Sequence, residues 1–468
     1  MALYQIVAEW TTYLTFYLLC AVFIAFVGYC LYVWHIHQKY DHIPGPPRDN
    51  FLLGHIPTFR REMNSDRVIH DRFLEWTEKY GPVYRINTFH TVSLVVSCPE
   101  ATKEILMSPK YSKDPLAYKR IFHLFGLRFL GNGLVTAVDH DTWYKQRRIM
   151  DPAFSSSYLR GLMDTFNERA ECLMQHLEVI AEERTIANMH RMVNCVTLDV
   201  ICKVAFGVDL DLLKHPDSPF PNAIDLCLQG MIQDIRDPFF RHSPWNRKKV
   251  REIQEAVKLL RTTGAKWINQ RRKAVENAED VPKDILTKIL KTAGKQVINV
   301  LFLGQETTAS QLSFAIMELG RHPEILKRTK EEVDEVLGTR RDVLYEDLGK
   351  LTYLTQKPYS RYTFLFFSSY ITSRMEKFFK DPLKFDPERF HPDASKPYFS
   401  YYPFSLGPRS CLGQTFSQME AKVVLTKFLQ RFDFSLVPGQ SFDIKDTGSL
   451  RPRSGVLCTI KHCAKSTF

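Results

Sequence analysis

Phe404-Ser405-Leu406-Gly407-Pro408-Arg409-Ser410-Cys411-Leu412-Gly413 is the stretch on which the reading of this chain turns. It sets one cysteine between two glycines and next but one to an arginine. Beyond it, Met419, Val423, Val424 and Phe428 recur at helical spacing, so the cysteine stands at a turn that leads into a helix. A free cysteine more often packs as a small hydrophobe than does chemistry. Here the pattern F-x-x-G-x-R-x-C-x-G requires five positions to agree at once. That is strong evidence for a built thiolate site.

The loop resembles the haem-binding loop of the cytochrome P-450 superfamily, which assigns Cys411 as the axial thiolate ligand of the iron of haem b. Such a ligand pushes electron density toward the iron and favours O–O cleavage. The resemblance also places Phe404, Gly407, Arg409 and Gly413 at the cofactor. Upstream, Trp143 and Arg147 stand four apart, on one face of a helix. They resemble the W-x-x-x-R element whose side chains meet a haem propionate. Arg409 would meet the same anionic edge, a task suited to a planar, permanently charged guanidinium. Gly304-Gln305-Glu306-Thr307-Thr308 resembles the oxygen-binding kink of the family's central helix. An acid beside an alcohol, Glu306 with Thr307, can hold water and relay protons into a haem pocket. Leu303 stands where the family usually has a small residue, and residues 294–300 look short for the start of this helix.

The resemblance implies the family's mainly α fold with small β-sheets (α+β). Local signals agree. Residues 81–99, rich in Val, Tyr and Thr, predict a strand pair. Residues 158–183 and 251–277 carry helical periodicity, and residues 323–338 open on proline and close on glycine as a helix does. Residues 434–460 read as short strands.

Between Glu9 and His35 lie 25 residues without a formal charge. As a helix this run exceeds the roughly 30 Å hydrocarbon core of a bilayer. Tyr13, Tyr29, Tyr32 and Trp34 supply interfacial aromatics, and Lys39, Arg48, Arg60 and Arg61 follow the span. The expected layout is a lumenal terminus over residues 1–9, a transmembrane anchor over 10–34, a proline-rich hinge over 35–50 and a haem-binding catalytic domain over 51–468. The resemblance to microsomal members implies a single-pass protein of the endoplasmic reticulum membrane with that domain facing the cytoplasm. Ten scattered cysteines and no N-x-S/T sequon agree with a reduced, cytosol-facing domain. The net charge of +11, concentrated at 147–148, 247–249 and 271–273, surrounds no nucleic-acid-binding module. It suits an acidic protein partner or an anionic membrane surface.

One family element is missing. Pro387-Glu388-Arg389-Phe390 matches the P-E-R-F element, whose arginine normally joins a buried ion-pair network with a Glu-x-x-Arg helix. Leu351–Gln356 begins as that helix should, but Lys357-Pro358-Tyr359-Ser360-Arg361 then interrupts it, and no glutamate precedes Arg361 at the right spacing. The chain's Glu-x-x-Arg, Glu318 to Arg321, reads as an ordinary surface pair. The text around residue 357 is therefore read as shortened, either by lost coding sequence or in the protein itself. Several stretches (residues 42–55, 165–171, 284–291, 402–413 and 436–440) are most similar to the family's sterol side-chain hydroxylases. That implies a sterol substrate, molecular oxygen, and electrons from NADPH-cytochrome reductase. The alternative is a catalytically silent haem-binding or scaffold protein.

Overall fold

The structure, a computed structural model, describes residues 2–65, 67–282, 284–293, 302–355, 367–391, 393–395, 397–447 and 449–463. Residues 294–300 and the interrupted text from Lys357 to Arg361 lie outside them, as does the side chain of Leu303. The described residues fall into two units, one running through Cys98 and including Phe367, the other running from Pro99 onward.

The first unit opens with helix α1, Ala2–Tyr40. Within its span Tyr4–Tyr40 the most apolar 18-residue stretch has mean hydropathy 2.3, and none of that stretch is buried by protein. By length and composition it is able to cross a membrane. The helix passes without a break through His35 to Tyr40, so the turn starts later than the expected hinge. No proline or glycine occurs in that interval to stop it, and Pro44 is the first breaker. The predicted strand pair forms: β1, Val83–Thr88, and β2, Thr91–Val96, run antiparallel with Val83 opposite Val96 and Thr88 opposite Thr91.

The second unit is mostly helical. Its helices begin and end where short polar residues and glycines permit. Helix α2, Pro115–Phe122, has Asp114 at its N-cap, accepting from the Ala117 N–H at 2.7 Å. Helix α3, His140–Met150, has Asp139 in the same role toward Thr142 at 2.7 Å. The helix expected from residue 158 is split, because Gly161 and Leu162 separate a short turn, Ser156–Arg160, from α4, Met163–Glu183. Strand β3, Ile186–Asn188, follows, and Asn188 caps α5, Met189–Phe206. Helices α6, Pro219–Arg236, and α7, Arg247–Glu276, pack on each other. The central helix α8, Phe302–Arg321, lies against α5 and is followed by α9, Pro323–Leu337. Gly338, at φ +56°, ends α9 in a conformation that costs other residues strain.

Helix α10, Gln414–Arg431, buries Met419, Val423, Val424 and Phe428, the spacing read from the sequence. Phe416 meets Phe166 of α4 edge to face at 5.1 Å, and Phe428 meets Phe434 at 5.1 Å. Such pairs contribute about 0.5–1.5 kcal/mol each beyond area burial. The chain closes through β4, Phe432–Leu436, β5, Ile444–Asp446, β6, Leu450–Pro452, and β7, Leu457–His462. Strand β7 is central in an antiparallel sheet ordered β3-β7-β4, and β5 pairs with β6.

Candidate functional site

The cysteine loop is closed by its own backbone. The Cys411 N–H donates to the Phe404 carbonyl at 2.8 Å, and Ser410 N–H donates to Gly407 at 3.0 Å. Ser405 and Gly407 both turn with positive φ, +60° and +67°. At Gly407 a Cβ would stand 2.2 Å from the Leu106 carbonyl oxygen, so no side chain fits there. Gly413 caps α10 at φ −84°, and the nearest atom to a Cβ there would be the Cys411 sulfur at 4.0 Å. All ten cysteines are free thiols, and Cys411 alone is exposed. The buried ones are held protonated: burial pushes Cys195 up to about 11 and Cys227 and Cys458 up to about 12. Cys411 is thus the thiol open to an external ligand.

Two arginines tie this loop to the segment that leads into α3. Arg409 donates from Nη1 to the Ala137 carbonyl at 2.7 Å and from Nη2 to Val138 at 3.2 Å. Its guanidinium lies 4.6 Å over the Trp143 ring, which is buried. Arg147, one turn along α3, donates from Nη1 to the Ser410 carbonyl at 2.7 Å, while its Nε meets Asp151 at 2.7 Å. Trp143, Arg147 and Arg409 therefore meet around the cysteine loop.

The central helix divides the acid from the alcohol. Glu306 is buried and turns toward α5 and β6: Asn194 Nδ2 donates to Oε2 at 2.5 Å and Ser449 Oγ to Oε1 at 2.8 Å. Burial raises its carboxyl above the usual range, against the pull of these two bonds and of the Arg451 charge. Thr307 is exposed, and its Oγ1 donates back to the Gly304 carbonyl at 2.9 Å. Gly304 is also exposed, and a Cβ on it would meet nothing within 4 Å. Gly304 and Thr307 form an open strip on a helix whose residues from Thr308 to Met317 are buried. That helix packs against α10, which begins just after Cys411.

The residues present fit a haem. Arg409 has no carboxylate within ion-pair distance among the described residues, the cysteine is exposed, and no described atom would lie within 4 Å of a Cβ at Gly304 on the open strip of the central helix. The profile of the family described as Cytochrome P450 matches residues 44–357 and 363–461. The chain belongs to the cytochrome P450 family. Cytochrome P450 4V2 of Rattus norvegicus is 26% identical over 485 residues, covering 91% of this chain and 90% of the relative. Cytochrome P450 4d2 of Drosophila melanogaster is 24% identical, covering 84% and 88%, and cytochrome P450 3A6 of Oryctolagus cuniculus is 25% identical, covering 89% and 91%. P450s are haem-thiolate monooxygenases whose ligand is a cysteine near the carboxyl end.

The P-E-R-F element is partnered differently from the expected network. Arg389 donates to the carbonyls of Asp386, Lys380, Asp381 and Lys384 at 3.0–3.2 Å. Among the described residues no carboxylate pairs with it. Glu388 pairs instead with Arg328 of α9. Glu318 and Arg321 form the expected i,i+3 pair at 2.9 Å near the end of α8. Asn194 and Ser449, the partners of Glu306, had no signal in the sequence, because each is an ordinary polar residue far from it along the chain.

Proposed function

We propose that this P450 is a membrane-anchored monooxygenase that hydroxylates a sterol side chain, as cholesterol 24-hydroxylase does. Electrons would come from NADPH-cytochrome reductase. The observation that carries the reading is the exposed Cys411, in a loop bound by Arg409 and Arg147 to the segment bearing Trp143. The sterol assignment rests on the stretches quoted from the sequence, residues 42–55 and 402–413 foremost. Helix α1 supports attachment to a membrane, from which a lipophilic substrate partitions. The basic residues after the span support a catalytic domain on the cytoplasmic side, and the resemblance to microsomal members supports the endoplasmic reticulum.

Haem held by a thiolate supplies the oxygen activation. The residues of this chain bind it and manage protons. Cys411 offers the sulfur; Phe404, Gly407 and Gly413 shape the loop that presents it. Arg409, Arg147 and Trp143 seat the propionate edge. The Thr307 hydroxyl, on the open strip, orients water at the reacting face. Glu306 keeps its proton to a higher pH than an exposed glutamate would, but its carboxyl is bonded to Asn194 and Ser449 while Thr307 is exposed, so the acid–alcohol pair expected from the sequence is not in direct contact here.

The family profile is interrupted between residues 357 and 363, where the Glu-x-x-Arg helix was expected to continue. The 485 aligned positions with cytochrome P450 4V2 exceed the 468 residues of this chain, so the relative has residues that this chain lacks. We favour lost coding sequence as the reason for the shortening, since the family profile matches on both sides of the break. An in-frame Glu-x-x-Arg segment between the codons for Gln356 and Lys357 in the genome would establish it.

The reduced, carbon monoxide-bound protein tests the site. A thiolate-type Soret band is expected in the purified chain and none in Cys411→Ala. NADPH-dependent hydroxylation of cholesterol with added reductase tests the substrate; haem binding without turnover of any sterol would favour the silent reading.

A further inference from the structure

The end of α1 is fastened to the β1–β2 hairpin, where a free hinge was expected. Val33 and His37 stand one turn apart on α1, and both are buried, 0% and 2% exposed. Tyr29, a turn earlier on the same face, brings its hydroxyl to 3.0 Å from His90 Nδ1. His37 Nε2 donates to the Phe89 carbonyl at 3.0 Å. Rings add to these contacts: Tyr32 meets His90 at 5.7 Å, and His37 meets Phe51 at 5.8 Å.

The proline-rich stretch that follows is no looser. The Arg85 N–H of β1 donates to the Pro44 carbonyl at 2.8 Å, and His55 Nε2 lies 3.2 Å from the Pro46 carbonyl. A Cβ at Gly45 would stand 2.6 Å from the Arg85 oxygen, so this stretch lies flush against β1. Asp41 pairs with both Arg48 and Arg85. Helix end, proline turn and hairpin therefore form one rigid mount.

The depth of that mount in a membrane follows from length. A hydrocarbon core of roughly 30 Å takes about 20 residues of helix. The uncharged run from Trp10 to Trp34 has 25. Its last residues pass beyond the core, and Tyr29, Tyr32 and Trp34 belong at the headgroup boundary, where such rings concentrate. The hairpin turn touches Tyr29 and Tyr32 through His90. His90 and Thr91 are exposed there, and Phe51, held beside His37, leaves 46% of its surface exposed.

We propose that the β1–β2 turn, with Phe51 beside it, is a second membrane-contact surface, pressed against the headgroup layer of a bilayer by the fixed end of α1. The proposal rests on the reading of α1 as a membrane anchor. It adds that the unit running through Cys98 is held at one tilt and does not swing on a hinge.

The test uses the full-length protein in phosphatidylcholine nanodiscs that include a lipid with a diazirine in its headgroup. After illumination, mass spectrometry reads lipid adducts on two peptides, one holding Tyr29–Trp34 and one holding Phe89–Thr91. Both are expected to carry adducts in the unmodified protein. In the double variant Tyr29→Ala, His37→Ala, and separately in Val33→Asp, adducts on the hairpin peptide fall to the level seen without illumination, while those on the α1 peptide persist. The hairpin survives these changes, because its own pairing and its bonds to Pro44 and His55 use none of the altered side chains. Slow amide exchange across β1 and β2 checks this in each variant. An unmodified protein labelled on α1 but not on the hairpin overturns the proposal and leaves the anchor standing. Labelling of neither peptide removes the anchor reading itself. Undiminished hairpin labelling in both variants would show that the turn meets lipid without the mount, which also overturns the proposal.

Discussion

Arg409 and Arg389 are both held by backbone carbonyls, yet their surroundings differ in kind. The four acceptors of Arg389 all come from residues 380–386, within one local turn. Arg389 staples its own loop and remains partly exposed. The acceptors of Arg409 belong to residues 137 and 138, far away in sequence, and its guanidinium lies over a buried indole. Burial lowers the pKa of Arg409. The lesson concerns the missing Glu-x-x-Arg. A buried pair that loses one member costs about 3–5 kcal/mol, but Arg389 is not left as half of such a pair. The arginine whose charge burial opposes, and which has no carboxylate within ion-pair distance among the described residues, is Arg409; under the proposed function haem would supply its counter-charge.

Four substitutions, in two pairs, probe that contrast, the largest effect first. Gly407→Ala attacks the frame that carries Arg409 across to residues 137 and 138. A Cβ at φ +67° and 2.2 Å from the Leu106 oxygen forces the backbone to move. A loss on the order of 3 kcal/mol or more in denaturant unfolding is expected, with haem content falling alongside. Gly413→Ala, at φ −84° with only the Cys411 sulfur at 4.0 Å, is expected to stay within about 1 kcal/mol of the unmodified protein. Equal losses at the two glycines would show that the loop is not fixed where Gly407 meets Leu106. Next, Arg409→Gln is expected to speed haem loss about tenfold or more, the loss of a charge-assisted contact. Arg389→Gln is expected to lower stability by about 1–2 kcal/mol while leaving haem per folded molecule unchanged. If Arg389→Gln emptied the site as fully as Arg409→Gln, the distinction between local staple and cofactor seat would collapse.

What the sequence disclosed follows from how local each signal is. The cysteine loop, the Asp139 cap and the Gly338 stop are set by neighbours within a few residues, so their patterns survive in the text. The β1–β2 pair and the burial face of α10 follow from periodicity over one element. The run of α1 to Tyr40 was underestimated because apolarity marks a membrane span, whereas the helix continues until a breaker arrives. Gly161 was read through as part of a longer period, although it is where the helix divides. The carbonyl cradle of Arg389 and the partners of Glu306 depend on contacts made only after folding. A carbonyl acceptor leaves no trace in residue identity, and Asn194 and Ser449 look like any surface polar residues until the central helix lies beside them.

Glu306 extends the comparison to a buried charge of the opposite sign, again held by neutral groups. Burial is the largest influence on its carboxyl and raises it; the Ser449 hydroxyl, the Arg451 charge and the Asn194 amide lower it without cancelling the rise. A glutamate in the unfolded chain titrates near about 4.3. Because the folded value is higher, the folded protein binds this proton more tightly. The resulting stabilisation is fully present below the unfolded value and is lost as pH rises through the folded one. Glu306→Gln has no such proton to lose, and its amide can bond Ser449 and Asn194, each of which can donate or accept. Thermal unfolding of the two proteins from about pH 4 to about pH 8 should therefore show the variant gaining on the unmodified chain as pH rises, then holding a constant lead. Glu420, whose carboxyl burial also raises, is present in both proteins and drops out of the difference. Parallel curves across that range would mean that the Glu306 carboxylate is compensated in the folded state, and that Arg409 alone among these charges waits for a partner.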